Sequence, residues 1–282
     1  MAAPQLQQGS SRNTGELEEA FSAFAQNYER QTGGITRRIA ENGLQMLPPI
    51  TSSSVVHDNG CGPGIVTTTI LRDAAAKGTT PPKIEATDVA KGMIDLLQIE
   101  IRKNGWSTVN AQLRDSSDLG CFEDGIFTHS ITNFAIFALP DPVKGASEIR
   151  RTLKDGGMAL VTVWSEMDNM AILHGAQKAI RPDLPVFNPV SPDWYHDWKV
   201  RSVMEEAGFS KVEVKEIKNY WDIESEQRVS ELFDDPFWNM VKKGWTDEDK
   251  AKWHQECLNQ LTDEQRRDKR LRANAWVCIA TK

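Results

Sequence analysis

At 282 residues, 39% hydrophobic and 26% charged, the chain is long enough to bury one large core and has the composition of an ordinary soluble globular protein. A formal charge of -7 argues against nucleic acid as a partner, because binders of duplex phosphates concentrate Lys and Arg, and leaves a small molecule as the expected one. Four widely spaced cysteines (Cys61, Cys121, Cys257 and Cys278) form no CxxC pair, which argues against a zinc site; with no signal-like segment and no membrane-length apolar run, the expectation is a cytoplasmic protein with free thiols and no membrane association.

From Thr14 onward Leu17, Ala20, Phe21, Phe24 and Ala25 recur at helical spacing, predicting a helix capped by Asn13 or Thr14, with residues 1–13 disordered. A second helix over Thr36 to Met46 is stopped by Pro48 and Pro49. A regular alternation follows: strand Val55 to Asp58, helix Gly64 to Ala75, strand Lys83 to Asp88, helix Gly92 to Asn104 and strand Asn110 to Arg114. Phe127 to Asn133 and Met158 to Trp164 read as two more strands, with a helix over Pro142 to Leu153 between them. Such alternation predicts an α/β fold, a mostly parallel sheet with helices on both faces, because parallel neighbours need long right-handed crossovers. Val212 to Trp221 and Ala273 to Thr281 complete a seven-stranded sheet, the last strand closing it, with an antiparallel direction one option.

The expected organisation is a single domain over 14–282, with a helical cap at 14–50, a ligand-binding core at 51–164 and insertions at 165–196 and 223–270. The first insertion carries the Pro-rich run PDLPVFNPVSP; the second is acidic, helical and rich in aromatics (Phe237, Trp238, Trp245, Trp253). Ligands of open α/β sheets sit beyond the carboxyl ends of the strands, where the first insertion emerges. Both are therefore read as a substrate lid, with simple plugging of apolar surface the alternative for the tryptophans of the second.

The run HDNGCGPG at 57–64 follows the first strand of the alternation. Its glycines fall at 60, 62 and 64, giving DxGxGxG, and Ile65 denies the GxGxxG spacing of a dinucleotide fingerprint. Alternate glycines let a ligand touch the peptide groups themselves. A pyrophosphate would be repelled by Asp58, whereas an amino acid joined to a sulfonium, which presents two positive centres, would be attracted. Asp88, at the tip of the second strand, is placed to accept hydrogen bonds from both hydroxyls of a ribose. At the third tip Asp115 can accept from an exocyclic adenine amine, and Ser116 can offer its backbone or hydroxyl to the ring. Met93, one turn into the following helix, covers an adenine face or belongs to plain core.

These pieces, with the block ITNFAIFALPDPVKGASEIRRTLKDGGMALVTVW at 131–164, resemble the Rossmann-like class I S-adenosylmethionine-dependent methyltransferases over residues 20–164. The resemblance implies S-adenosyl-L-methionine as cofactor, with Asp58, Gly60, Cys61 and Gly62 along its methionine part, Asp88 at the ribose, and Asp115 with Ser116 at the adenine. Asn133 resembles the backbone platform under the methyl group, and Tyr28 in AQNYERQ the aromatic that caps the cofactor, with packing the alternative. The whole chain is most similar to fungal small-molecule methyltransferases of secondary metabolism, including those that S-methylate gliotoxin-type dithiols such as reduced epidithiodiketopiperazines. O- or N-methylation of another metabolite is the alternative, and a non-catalytic cofactor-binding regulator of the same fold is a second.

Methyl transfer from a sulfonium is an in-line displacement, so positioning supplies much of the rate. A thiol acceptor needs little help with its proton, whereas a phenol or alcohol needs a base. His57 and His129 fall on the wrong face or too deep, leaving His174 and His196 of the first insertion as candidates, or as solvated loop histidines. Phe134, Phe137 and Trp164 are read as acceptor-pocket walls, with core packing the alternative. Tyr195 and Lys199 match the YxxxK pair of short-chain dehydrogenases, but Pro182 stands where those enzymes carry serine, and an NAD(P)-dependent oxidoreductase is disfavoured. The place after the fourth strand reads NFAIF, without the Pro-Pro-aromatic grip for a flipped base, again against nucleic acid.

Overall fold

The computed structural model describes residues 34–234 and 236–282, together with Ser22, Ala25, Tyr28 and Thr32. The expected disordered start at 1–13 and most of the helix expected from Thr14 lie outside the described residues.

The chain alternates as its pattern requires: α1 (Ile35–Leu44), β1 (Val55–Asn59), α2 (Ile65–Ala76), β2 (Lys83–Asp88), α3 (Lys91–Asn104), β3 (Val109–Leu113), β4 (Phe127–Asn133), α4 (Pro142–Thr152) and β5 (Leu153–Met167). The remainder holds α5 (Asp168–Ile180), α6 (Asp197–Glu206), β6 (Lys211–Ile217), β7 (Tyr220–Asp222), α7 (Glu226–Phe233), α8 (Asp247–Asn259), α9 (Asp263–Asp268) and β8 (Arg270–Thr281). The sheet runs β3-β2-β1-β4-β5-β8-β6. Its first five strands are parallel, and β8 lies antiparallel between β5 and β6. Helices cover both faces, so four of the five residues of β1 are buried and the strand reads VVHDN with no polar alternation. β1 has β2 on one side and β4 on the other, which makes the crevice between β1 and β4 the switch point where ligands of open sheets bind.

Two strand expectations are corrected. The single strand expected over Val212 to Trp221 is interrupted after Ile217, where the Asn274 side chain accepts from the Asn219 N–H at 3.0 Å in place of a ladder bond; the short β7 is thus an eighth strand beside the seven expected. β5 outruns the expected Met158 to Trp164 and carries a bulge between Trp164 and Glu166, a device that bends a strand and re-aims its side chains.

The two insertions pack on each other. α5 lies against α8, and Gly175 leaves no room for a Cβ beside Gln260. Trp253 is fully buried, donates to the Phe233 carbonyl at 2.9 Å and stands edge-on to Trp245 at 5.6 Å. Those two tryptophans are core, as the plugging alternative has it. Among the described residues no helix is long and apolar enough to cross a membrane, and no group of three or more His, Cys, Asp or Glu could hold a metal ion.

Candidate active site

The loop after β1 turns three times through left-handed backbone, at Gly60, Gly62 and Gly64, with φ of 65°, 55° and 91°. At Gly62 a Cβ would meet only Met93 Sδ, at 4.0 Å, so the space beside that peptide is open. Asp88 fixes the loop from the next strand: its Oδ2 accepts from Gly62 N at 2.8 Å and its Oδ1 from Ala90 N at 2.8 Å. Asp58 is 1% exposed; its Oδ2 accepts from Thr67 N at 2.9 Å and Thr67 Oγ1 at 2.6 Å, while Oδ1 is buried with no partner among the described residues. Burial pushes the Asp58 carboxyl up to about 6 against the pull of the Thr67 bonds, and burial raises Asp88 as well.

All ten residues expected at the cofactor line one cavity of about 200 Å³: Tyr28, Asp58, Gly60, Cys61, Gly62, Asp88, Met93, Asp115, Ser116 and Asn133. No Lys or Arg is among the described residues lining it. Its charge is therefore that of three carboxylates, with one buried oxygen unsatisfied and one open peptide cradle. A ligand carrying an ammonium and a sulfonium meets those demands, and an anionic one does not. The polar tips are strictly assigned. Asp115 is exposed at the rim and accepts from Ser117 N at 2.7 Å. The Ser116 hydroxyl donates to Asn59 Oδ1 at 2.8 Å, which leaves its backbone, of the two options, for a ligand. Asn59 was not singled out in the sequence, yet it is fully buried and also donates to Thr132 Oγ1 at 3.1 Å, tying β1 to β4 and the β3 tip. Asn133 donates to the Thr36 carbonyl at 3.2 Å and accepts from Thr162 Oγ1 at 2.8 Å, so its side chain is engaged.

A second cavity, of about 150 Å³, adjoins the first and shares Tyr28, Phe134 and Ala138 with it. Phe134 sits at the junction with a φ of 56°, a strained value for a non-glycine residue, held by bonds from its N–H to Thr162 O at 3.2 Å and Thr162 Oγ1 at 3.0 Å. Its ring stacks on Trp164 with centroids 3.9 Å apart. Phe137, Met167, Met170, Tyr195, Trp221, Leu232 and Trp238 complete an almost wholly apolar wall, with Asn169 set into it. Low solvent access pushes the Tyr28 hydroxyl up to about 12 and raises that of Tyr195.

The profile of a family described as a methyltransferase domain matches residues 57–161, the span that holds Asp58, Asp88, Asp115 and Asn133. The chain is 25% identical over 240 residues to methyltransferase ktnA of Aspergillus niger, covering 75% of this chain and 78% of that one. It is 26% identical to acetylaranotin bis-thiomethyltransferase of Aspergillus terreus, covering 70% and 69%. The chain is a class I S-adenosylmethionine-dependent methyltransferase. Solved structures agree on the fold. Phosphoethanolamine N-methyltransferase 2 of Haemonchus contortus, in complex with S-adenosylhomocysteine, matches the methyltransferase with a TM-score of 0.57 at 17% identity, over 99% of this chain and 61% of that one. The cyclase SpnF matches at 0.58 and 14% identity, over 96% and 97%, so fold alone does not decide chemistry.

The histidines of the methyltransferase are placed away from both cavities. His57 is fully buried, bonded to Thr87 Oγ1 at 2.9 Å and stacked on Phe127, and burial drives it down to about 3. His129 is likewise buried in β4. The two substrate-site candidates are corrected. His174 Nε2 is taken up by the Phe187 carbonyl at 2.8 Å, and His196 is exposed beside Trp198; neither is among the described residues lining a cavity. Helical phase turns the first toward the Pro-rich loop, and the second lies just outside α6. Of the YxxxK pair, Tyr195 lines the aromatic cavity, while Lys199 Nζ lies over the Trp194 ring. Asn169, Met170 and Trp221 carried no sequence signal, because the first two open α5 and the third lies in β7, and no local pattern records that these elements meet.

Proposed function

We propose that this methyltransferase S-methylates a thiol or dithiol on a small fungal secondary metabolite, a reduced epidithiodiketopiperazine being one example. The observation that carries the reading is the absence of His, Asp, Glu, Lys and Cys among the described residues lining the aromatic cavity. Its phenols, raised by burial, stay protonated at neutral pH. A thiol with a pKa near ~8.5 supplies its own thiolate there, whereas an alcohol would find no base. The relative named as a bis-thiomethyltransferase supports the same choice, and the fungal relatives named only as methyltransferases support methyl transfer.

In this reading Asp58 and the Gly60 to Gly62 peptides hold the methionine part of the cofactor, Asp88 the ribose, and Asp115 with the Ser116 backbone the adenine. When bound, S-adenosylmethionine supplies an electrophilic methyl: the acceptor sulfur's electron pair forms the new S–C bond, the sulfonium C–S bond breaks with its pair left on that sulfur, and the thiol proton goes to solvent. The protein's part is alignment and exclusion of water. Phe134, locked in its strained backbone and stacked on Trp164, stands between the cavities and sets the line along which acceptor and methyl meet. The two insertions serve as the lid.

Labelled-methyl transfer to matched thiol, phenol and amine acceptors tests this. We expect turnover of the thiol alone, with a rate that climbs with pH up to the acceptor's own pKa. Turnover confined to the phenol or the amine would overturn it.

A further inference from the structure

Asn169, the second residue of α5, is 1% exposed and lines the aromatic cavity, yet neither its Nδ2 nor its Oδ1 has a hydrogen-bond partner among the described residues. Other buried carboxamides are satisfied. Gln177 donates to Pro185 O and accepts from Phe187 N; Asn274 donates to Glu166 and accepts from Asn219 N. An unpaired buried amide weakens a fold, so an exception among satisfied neighbours points to a partner outside the chain. The backbone that carries it is held in place, because the start of α5 is tied to β8: Asp168 accepts from Arg272 N at 2.8 Å and pairs with its guanidinium at 3.0 Å.

We infer that Asn169 reads the methyl acceptor, and that the acceptor presents a carbonyl and an N–H on the same edge of a flat ring, as a secondary cis-lactam does. A carboxamide satisfies both its atoms on one ligand only if that ligand offers an acceptor to Nδ2 and a donor to Oδ1 side by side. An open-chain trans amide points the two apart; a ring holds them together. A carboxylate would set negative charge against Oδ1 in a wall with no Lys or Arg among its described residues. The aromatic faces of Phe134, Trp164 and Trp221 suit the flat ring. The inference rests on the proposed use of this cavity for the acceptor and adds what is recognised there.

The test pairs a mercapto-lactam with its N-methyl counterpart, and a hydroxyaryl lactam with its own, on the wild-type enzyme, Asn169→Leu and Asn169→Asp. We expect wild type to favour the N–H lactam of a pair by about tenfold or more in kcat/KM, since a site built for a hydrogen bond rejects the analogue lacking it. Asn169→Leu removes the preference through KM, leaves the S-adenosylmethionine dissociation constant within about twofold, and raises the Tm of the free protein by about 2 to 4 °C, the sign expected for deleting an unpaired buried amide. Asn169→Asp, which keeps the acceptor for the lactam N–H and loses the donor to the ring carbonyl, retains the preference while KM rises about tenfold for both members of a pair. A fall in Tm with Asn169→Leu, or equal use of both members of both pairs, would overturn the role of Asn169. Turnover of the hydroxyaryl lactam alone, with the preference intact, would sink the thiol proposal and still support Asn169.

Discussion

The carboxylate-lined cavity is made at the tips of β1, β2, β3 and β4 by a loop that exposes its peptides, whereas the aromatic cavity beside it is made of side chains from α1, β5, α5, β7 and the segments around them. In the first, the contacts join the tips of neighbouring strands and their loops: Asp88 accepts from Gly62 and Ala90, and Ser116 donates to Asn59, while one buried oxygen of Asp58 stays unpaired among the described residues. In the second, the packing is tertiary and one carboxamide is left unpaired. A cofactor common to many reactions suits a rigid backbone-built site, while an acceptor peculiar to one reaction suits walls that can change one side chain at a time.

The sharpest way to break this contrast is Gly62→Val. The new side chain stands in the open cradle and requires a left-handed backbone, so we expect S-adenosylmethionine affinity to fall by about a hundredfold or more, with circular dichroism near native. Retained affinity in calorimetry would mean that the ligand does not approach those peptides. Asp88→Ala comes next, at about 1.5 to 3 kcal/mol of cofactor binding, because it removes charge-assisted acceptors and also frees the Gly62 N–H. An unchanged dissociation constant would place the ribose elsewhere.

Two tests sharpen the boundary between the cavities. Trp164→Ala unstacks Phe134, and we expect an acceptor KM about tenfold higher with cofactor affinity within about twofold; equal loss of both would merge the two sites. The second is pH. Asp58, at about 6 in the folded protein against an ordinary 3.8, favours the protonated form, so on its own account the free fold loses stability as pH rises from about 4 through 6. A cationic ligand selects the ionised form, so its affinity should rise over that window, by at most about tenfold per pH unit, and level off above about 6. His57, neutral in the fold and held near 3, acts oppositely on stability, losing it as pH falls below about 6.5; titration calorimetry of the ligand therefore separates the cavity carboxylates, Asp58 and the likewise raised Asp88, from His57. The smallest effect belongs to His196→Ala, with turnover changed by less than about twofold because the ring is exposed away from both cavities. A large loss would restore it as a base.

Residue order alone determined the α/β sheet, the strand tips and the glycine-bearing turn, because each is written in a short stretch: apolar runs for buried strands, glycine spacing for the turn, a carboxylate at each tip. Eight of the ten residues expected at the cofactor came together for the same reason, since successive parallel strands deliver their ends to one edge; Met93 joins them from α3 and Tyr28 from ahead of α1. The tertiary structure alone decided the acceptor side. Asn169 and Trp221 are 52 residues apart, by subtraction of their numbers, and meet only because the insertions fold back over β5 and β8. It decided, too, that His174 turns to a loop carbonyl and that Trp245 and Trp253 fill a core. Periodicity records which face of an element is apolar; it does not record which partner that face will meet, and a pocket built of meetings is settled only when the packing is.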